Sequence, residues 1–454
     1  MNIAHNLEQA PLKPLFFSYL YPAVLGMLLM SINILVDGIF ISHGVGTTAL
    51  AGVNIAVPIF SVLLSVSLWI GMGGATLFSI ALGEGNRVQA HKIFTLSFVT
   101  MFVIVTAMIA TLLLNLERVG YLFGASEATY PYVEQYLHII LLFGVFYTIE
   151  NLLSIFIRND GNPKLAMAGL ITTSVLNIIF NYLFIFVLEY GVTGCALATA
   201  LSTIIGMLVL FTHFFRKNSE LKFVRFEFRI LDIRQIFMIG FPSFIVESTV
   251  AVTMILYNIV FLRYLGDNGV SAYAMVNYLH MVLVTVFLGV GMAIQPLVSY
   301  HYGARLLRRL LALLKLGIQT ALLLGIVTSA IAAIFPNELI AMFGKSTAEI
   351  RSLAAQGFIF FAVGYIFLGI NMVLAEFFQS ITKIRFATTI MLLRSVILFV
   401  PAVFLLPKFF GAQAIWFTFP IVEGLTALLV FMYLKIYPKT LVKSCVAKSE
   451  IVIG

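Results

Sequence analysis

Asp37 lies within FFSYLYPAVLGMLLMSINILVDGIFIS, an apolar run long enough to span a bilayer. A carboxylate near the bilayer centre costs roughly 3 kcal/mol or more, so its retention marks ion or substrate chemistry. Asn177 and Asn181 interrupt another apolar run at i, i+4, which puts both on one helix face. Thr199 interrupts a third. One carboxylate with amide and hydroxyl oxygens suits Na⁺, a hard monovalent cation; protonation of Asp37 is the rival use of the same group. Counted by helix rise from the flanking loops, Asp37, Asn181 and Thr199 fall at similar depth, in the outer half of the membrane. The plainer alternatives are a structural carboxylate at 37, interhelical amide bonds at 177 and 181, and a hydroxyl bonded to its own helix at 199.

Three more carboxylates interrupt apolar runs: Glu150, Glu247 near the middle of the seventh, and Glu423 in the twelfth. Glu376 lies close enough to a helix end to snorkel. The seven histidines are scattered without metal-ligand spacing, although His280, inside an apolar run, is a candidate for a proton path. There is no Walker motif for ATP and no nucleophile–base arrangement, so the residues point away from an enzyme. No cofactor is implied.

The elements that must carry these residues are membrane helices. Hydrophobic residues make up 61% of the chain and charged residues 10%, with a mean hydropathy of +1.06. A soluble domain is about a quarter charged. Runs of about 20 apolar residues mark spans, and twelve are legible: 15–42, 52–81, 93–115, 133–157, 165–188, 191–215, 236–263, 271–299, 310–335, 350–378, 385–406 and 411–434. With both termini on one side, 22 Lys and Arg fall on that side and 5 on the other. Arg394 is counted in the larger group, and Arg118, Arg263, Lys345, Arg351 and Lys408 make up the smaller. The positive-inside rule then makes both termini cytoplasmic and the net charge of +8 topogenic rather than a nucleic-acid signal. The basic stretch 216–235 reads as a cytoplasmic linker between 1–215 and 236–434, followed by a cytoplasmic tail, 435–454. No cleavable leader is evident, and Cys195 and Cys445 are not placed to pair.

The two halves repeat. Pro22 in YPAVLGM answers Pro242 in FPSFIVE at an offset of 220, and GMGGATLFSIALGEG answers GVGMAIQPLVSYHYG at 218. LSIFIRNDGNPKLA answers LAEFFQSITKIRFA at 221, and GVTGCALAT answers GAQAIWFTF at 220. Six spans per repeat is an even number, so both copies enter from the same side. The expectation is an all-α polytopic protein of two six-helix bundles related by a pseudo-two-fold axis along the membrane normal, a recurrent transporter plan. Pro22 removes a backbone hydrogen bond inside the first helix and is a candidate hinge, one able to respond to the state of Asp37.

Pro22, Asp37 with VDGIFISHGVGTTALAGVNIAVPI, the glycine-rich GMGGATLFSIALGEGN and RNDGNPKLA together resemble the multidrug and toxic compound extrusion (MATE) transporters, over nearly the whole chain. The likeness is to the DinF-like branch, or the related small bacterial multidrug exporters, more than to the NorM branch. It implies export of organic cations and amphiphiles against inward Na⁺ or H⁺. It implies a coupling group of Asp37, Asn177, Asn181 and Thr199, with Asn151 on the fourth helix; the second fifth-helix carboxylate of that branch is replaced here by Asn181. Glu247 is similar to the seventh-helix Glu of NorM-type members. Their tenth-helix Asp is missing, and that helix offers Tyr365 and Asn371 instead. The expected setting is a bacterial or archaeal inner membrane, with lipid and small cationic or amphiphilic molecules as partners; a monomer suffices. The competing readings are a lipid-linked saccharide flippase, disfavoured because the intramembrane ionisable groups read as acidic, and an intramembrane enzyme or passive channel.

Overall fold

The computed structural model describes residues 7–225, 229–343 and 347–436. Lys345, Cys445 and the lysines of the expected tail beyond Ile436 lie outside the described residues. Every regular element among the described residues is helical. The first six spans are α1 (Leu12–Gly44), α2 (Thr47–Gly83), α3 (Arg87–Leu114), α4 (Tyr130–Asn159), α5 (Pro163–Asn181) and α6 (Gly191–Phe211). Ile230–Gly303 runs for 74 residues. At 1.5 Å per residue that is about 110 Å, more than three times a hydrocarbon core. Gly266, at φ 62° and ψ −157°, breaks it into two spans, α7 (230–265) and α8 (267–303). They are followed by α9 (Leu307–Ile334) and by α10, two pieces (Ala348–Ala362 and Gly364–Ser380) bent by 43°. The last spans are α11 (Ile384–Phe410) and α12 (Ala412–Ile436). Twelve spans result, as the apolar runs predict. The bundles are polar inside and apolar outside: Ser67, Thr148 and Asn181 are fully or nearly fully buried while Ile34, Val103 and Leu323 face out, the arrangement a lipid solvent selects.

The repeat is written in the backbone. Four breaks with positive φ recur at an offset of 220 or 221: Gly46 with Gly266, Gly85 with Arg305, Gly161 with Thr382, and Gly191 with Gly411. The fifth helix of each repeat also carries a π-helical turn, Tyr182–Val187 after α5 and Leu393–Ile397 within α11. Such turns rotate the side chains that follow and are frequent at functional sites.

The chain divides into two compact units, one reaching Phe244 and the other starting at Ile245. Helix α7 begins at Ile230, inside the stretch expected as linker, and its first turns belong to the first unit. Two glycines make this contact. A Cβ on Gly73 would strike the carbonyl of Ile236, and one on Gly240 the carbonyl of Trp69. Trp69 Nε1 donates to the Phe237 carbonyl at 2.5 Å. In the second unit Tyr257, Phe261, Tyr273, Phe361, Trp416 and Phe419 form an aromatic core.

The RNDGNP segment closes one end of the first unit. Pro163 opens α5, and the Asn162 side chain caps it by accepting from the Leu165 N–H. Asp160 Oδ2 accepts from His213 Nε2 at 2.7 Å, from the Glu220 N–H at 2.9 Å and from Ser219 Oγ at 3.3 Å. Glu220 in turn pairs with Arg87 at 3.2 Å and His91 at 3.1 Å. One buried carboxylate thus ties the α4–α5 loop to the end of α6 and the linker. Burial pushes the Asp160 carboxyl above its usual range, against the hydrogen bond and charge of His213. Asp160→Ala strands a buried imidazole and an N–H, a loss of about 3 kcal/mol; the purified variant is expected to aggregate at a clearly lower temperature than wild type in size-exclusion melting.

Candidate ion-coupling site

Helices α1 and α5 run in the same direction and meet in register. Asp37 Oδ1 accepts from Asn181 Nδ2 at 2.6 Å, and one turn earlier Asn33 Nδ2 donates to Asn177 Oδ1 at 3.0 Å. Both pairs are separated by 144 positions, so the i, i+4 pair on α1 faces the i, i+4 pair on α5. Asn33 Nδ2 also reaches the Ser174 carbonyl at 3.2 Å. Asn181 Nδ2 donates a second time, to Asn177 Oδ1 at 2.8 Å, and Asn177 Nδ2 donates to Thr199 Oγ1 on α6 at 3.1 Å. Thr199 closes the chain by donating to the Cys195 carbonyl of its own helix at 3.2 Å.

The result is one directed chain: Asp37, Asn181, Asn177, Thr199. Its two Asn181 bonds fix the amide orientation, because both partners are acceptors. That leaves Asn181 Oδ1 buried with no hydrogen-bond partner. Asp37 is half-buried and takes one hydrogen bond, from Asn181. The carboxylate of Asp37, the free oxygen of Asn181 and the hydroxyl of Thr199 are the oxygens that suit a hard monovalent cation. Asn177 Oδ1 already accepts two N–H groups and serves as the hub that orients its neighbours. Among the described residues no cluster of three His, Cys, Asp or Glu suits a transition metal.

The other candidates fall elsewhere. Asn151 stands apart from this chain; its Oδ1 accepts from Ser67 Oγ at 3.4 Å. Glu150 is buried, accepts from the Thr173 hydroxyl, and has no ion pair among the described residues. In the second unit Glu247 is half-buried and forms no hydrogen bond or ion pair among the described residues. It does not meet Tyr365 and Asn371 through any such bond. Tyr365 instead bonds His280 Nδ1 at 3.1 Å, within a cage of Phe361 and Phe419. Asn371 Nδ2 donates to Glu423 Oε2 at 2.7 Å and to the Glu423 carbonyl at 2.9 Å. Pro22 is buried inside α1, which continues as helix through it. Glu376 packs over Gly291 with one oxygen buried, so it does not snorkel as expected.

Arg394 overturns two expectations. It lies ten residues into α11, about 15 Å along the helix, and is not one of the cytoplasmic loop charges. Its Nε and Nη2 donate to Glu423 Oε1 at 2.9 and 2.6 Å, and its Nη1 meets Met372 Sδ at 3.3 Å. The ionisable groups inside the bundles are therefore not all acidic; Arg394, largely covered, is a cation held there and neutralised by Glu423.

Sequence reasoning missed Asn33, Thr173 and Ser202. The signal for Asn33 was available: it precedes Asp37 by four residues, as Asn177 precedes Asn181.

Comparison with known proteins gives the site its family. The MatE family model matches the chain twice, over residues 22–183 and 242–405, which are the two repeats. Multidrug export protein MepA of Staphylococcus saprophyticus is 26% identical over 417 residues, covering 90% of both chains. The protein of that name from Staphylococcus aureus strain NCTC 8325 is 22% identical over 433 residues, covering 93% of this chain and 94% of its own. Among solved structures, an outward-facing multidrug resistance MATE family transporter superposes with a TM-score of 0.91 at 21% identity, over 96% of this chain and 98% of its own. A MATE structure in a bent conformation superposes at 0.90 and 20% identity, over 98% of this chain and all of its own. Matched over both repeats, the chain belongs to the MatE family of membrane transporters.

Proposed function

We propose that this chain is a secondary active exporter of small organic cations or amphiphiles, driven by inward Na⁺ or H⁺, with Asp37 as the coupling carboxylate. The observation that carries this reading is the hydrogen-bonded chain from Asp37 through Asn181 and Asn177 to Thr199, in which the Asn181 amide oxygen, next to Asp37, is buried with no hydrogen-bond partner among the described residues. The multidrug export named for the staphylococcal relatives supports the substrate class. Occupation of Asp37 by the ion changes which groups Asn181 and Asn33 can bond, and so alters the α1–α5 contact. Coupling requires only that ion and substrate favour opposite states of the carrier. Pro22, fifteen residues before Asp37 in the same helix, is the hinge on which that change acts.

Glu247, a carboxylate with no bonded partner among the described residues, is the candidate contact for a cationic substrate in the second unit. Glu423, Asn371 and Tyr365 are already committed to internal bonds. Arg394 does not favour a flippase for lipid-linked saccharides, because Glu423 neutralises it. The protein is placed, on this reading, in a bacterial or archaeal inner membrane as a monomer with both termini cytoplasmic.

The test is efflux of a fluorescent organic cation from proteoliposomes, with Na⁺ and pH gradients imposed separately. Wild type is expected to export under one of the gradients, and Asp37→Asn to lose at least about tenfold in rate, the equivalent of one charge-assisted bond. A wild type indifferent to both gradients means a channel, and an Asp37→Asn protein with full coupled transport removes Asp37 from the mechanism. In the same assay Asn33→Leu, which deletes the donor to Asn177 and to the Ser174 carbonyl, is expected to lower the rate about fivefold, the equivalent of about 1 kcal/mol.

A further inference from the structure

A second polar centre sits in the middle of each unit, built from equivalent positions. In the first unit Glu150 on α4, Thr173 on α5 and Ser202 on α6 meet: the Thr173 hydroxyl contacts the Glu150 carboxylate and lies 3.4 Å from the Ser202 carbonyl. In the second unit Asn371 on α10, Arg394 on α11 and Glu423 on α12 meet. Each of these lies 221 positions after its counterpart. The offset is the one that aligns RNDGNPKLA with QSITKIRFA, so both triads descend from one place in the repeat unit.

The two triads differ in charge balance. Glu423 receives three N–H donors within 2.9 Å, two from the Arg394 guanidinium and one from Asn371. It is neutralised and pinned. Glu150 has a neutral threonine hydroxyl and no cation among the described residues. The neighbouring elements offer none at its depth. Helix α2 carries no ionisable side chain, and the basic groups of α3 (Arg87, His91, Lys92) sit in its first two turns. On α5, Lys164 lies nine residues before Thr173, about 14 Å along the helix, and the ionisable group of α6 is Cys195. On α4 itself Tyr147 precedes Glu150 by three residues, Glu134 and His138 lie toward the far end, and Arg158 is eight residues on, bonded to Ser154. A buried carboxylate supplied with one neutral donor exchanges its charge for a proton.

We propose that Glu150 is a second proton-binding site of the first unit, distinct from Asp37, and that Arg394–Glu423–Asn371 is its immobilised counterpart in the second. The two carboxylates of the first unit are joined along one face of α5 by Thr173, Asn177 and Asn181, each four residues from the next. Thr199, bonded to Asn177, also accepts Ser202 Oγ at its carbonyl, 3.0 Å away. Protonation at Glu150 and ion binding at Asp37 therefore act on the same stripe of side chains, and a transport cycle can move two charges rather than one. This inference rests on the reading of the chain as an ion-coupled exporter but not on the role assigned to Asp37.

The test is proton uptake by the purified full-length chain in weakly buffered detergent, read with a pH indicator on titration from alkaline to acid pH, together with the infrared band of protonated carboxyl groups. Wild type is expected to take up about one proton more than Glu150→Gln, with loss of one component of the band, and Glu423→Gln is expected to leave that component in place. Asp37→Asn removes its own component separately, so failure of the Asp37 reading and failure of this one are distinguishable. Unchanged uptake and an unchanged band in Glu150→Gln overturn the proposal. If Glu150→Gln does not give a monodisperse protein, Thr173→Val decides: a displaced Glu150 band supports the site, and an undisplaced one overturns it.

Discussion

Burying a polar group in a bundle surrounded by lipid is tolerable only if its partners are inside the same bundle. That constraint organises this chain. In the first unit Asp37 is answered by Asn181, which is itself held by Asn177, Glu150 by a hydroxyl, and Asp160 by a histidine and a backbone N–H. In the second, Glu423 is answered by an arginine. The places where an answer is incomplete, Asn181 Oδ1 and the lone-hydroxyl environment of Glu150, are where an ion or proton has something to gain by binding.

Duplication explains how one fold holds both static and responsive polar centres. The copies keep the same breaks of the backbone, so side chains at equivalent positions meet in both. What differs is the residue type. A carboxylate moved from the fourth helix to the sixth, with an arginine opposite, is neutralised; a carboxylate left on the fourth with a threonine opposite is not. Asp37 has Tyr257 as its counterpart, 220 positions later, and Tyr257 is a member of the aromatic core of the second unit. The first repeat has kept ionic chemistry at a level where the second has turned to packing.

The twelve spans were legible because lipid imposes length and apolarity directly on the sequence. The group of Asp37, Asn177, Asn181 and Thr199 was legible because polar residues at matching depth and helical spacing stand out in an apolar background. Asn33 shared that spacing but carries no charge, and a single asparagine beside an aspartate draws little notice. Arg394 was misplaced because charge counting assigns cations to the nearest loop, and only the partner 29 residues away on α12 explains how a guanidinium is held inside. Asn151 was carried by resemblance alone, and α4 turns it toward Ser67. Thr173 and Ser202 look like ordinary helix hydroxyls, and Thr173 is singled out only when Gly206 is seen to leave room for it: a Cβ there would collide with both Thr173 and Glu150.

The in-register pairing of α1 with α5 quantises their relative motion. Asn33 and Asp37 occupy two rungs four residues apart, facing Asn177 and Asn181 on rungs of the same spacing. A slide of α1 by a fraction of a turn breaks both rungs and gains nothing. A slide by a whole turn, about 5.4 Å, brings an α1 polar group opposite an α5 amide again. Small tilts about Pro22 and full one-turn steps are therefore the inexpensive movements of this helix, and intermediate displacements are barriers. Such a ladder favours discrete positions of the helix over graded ones.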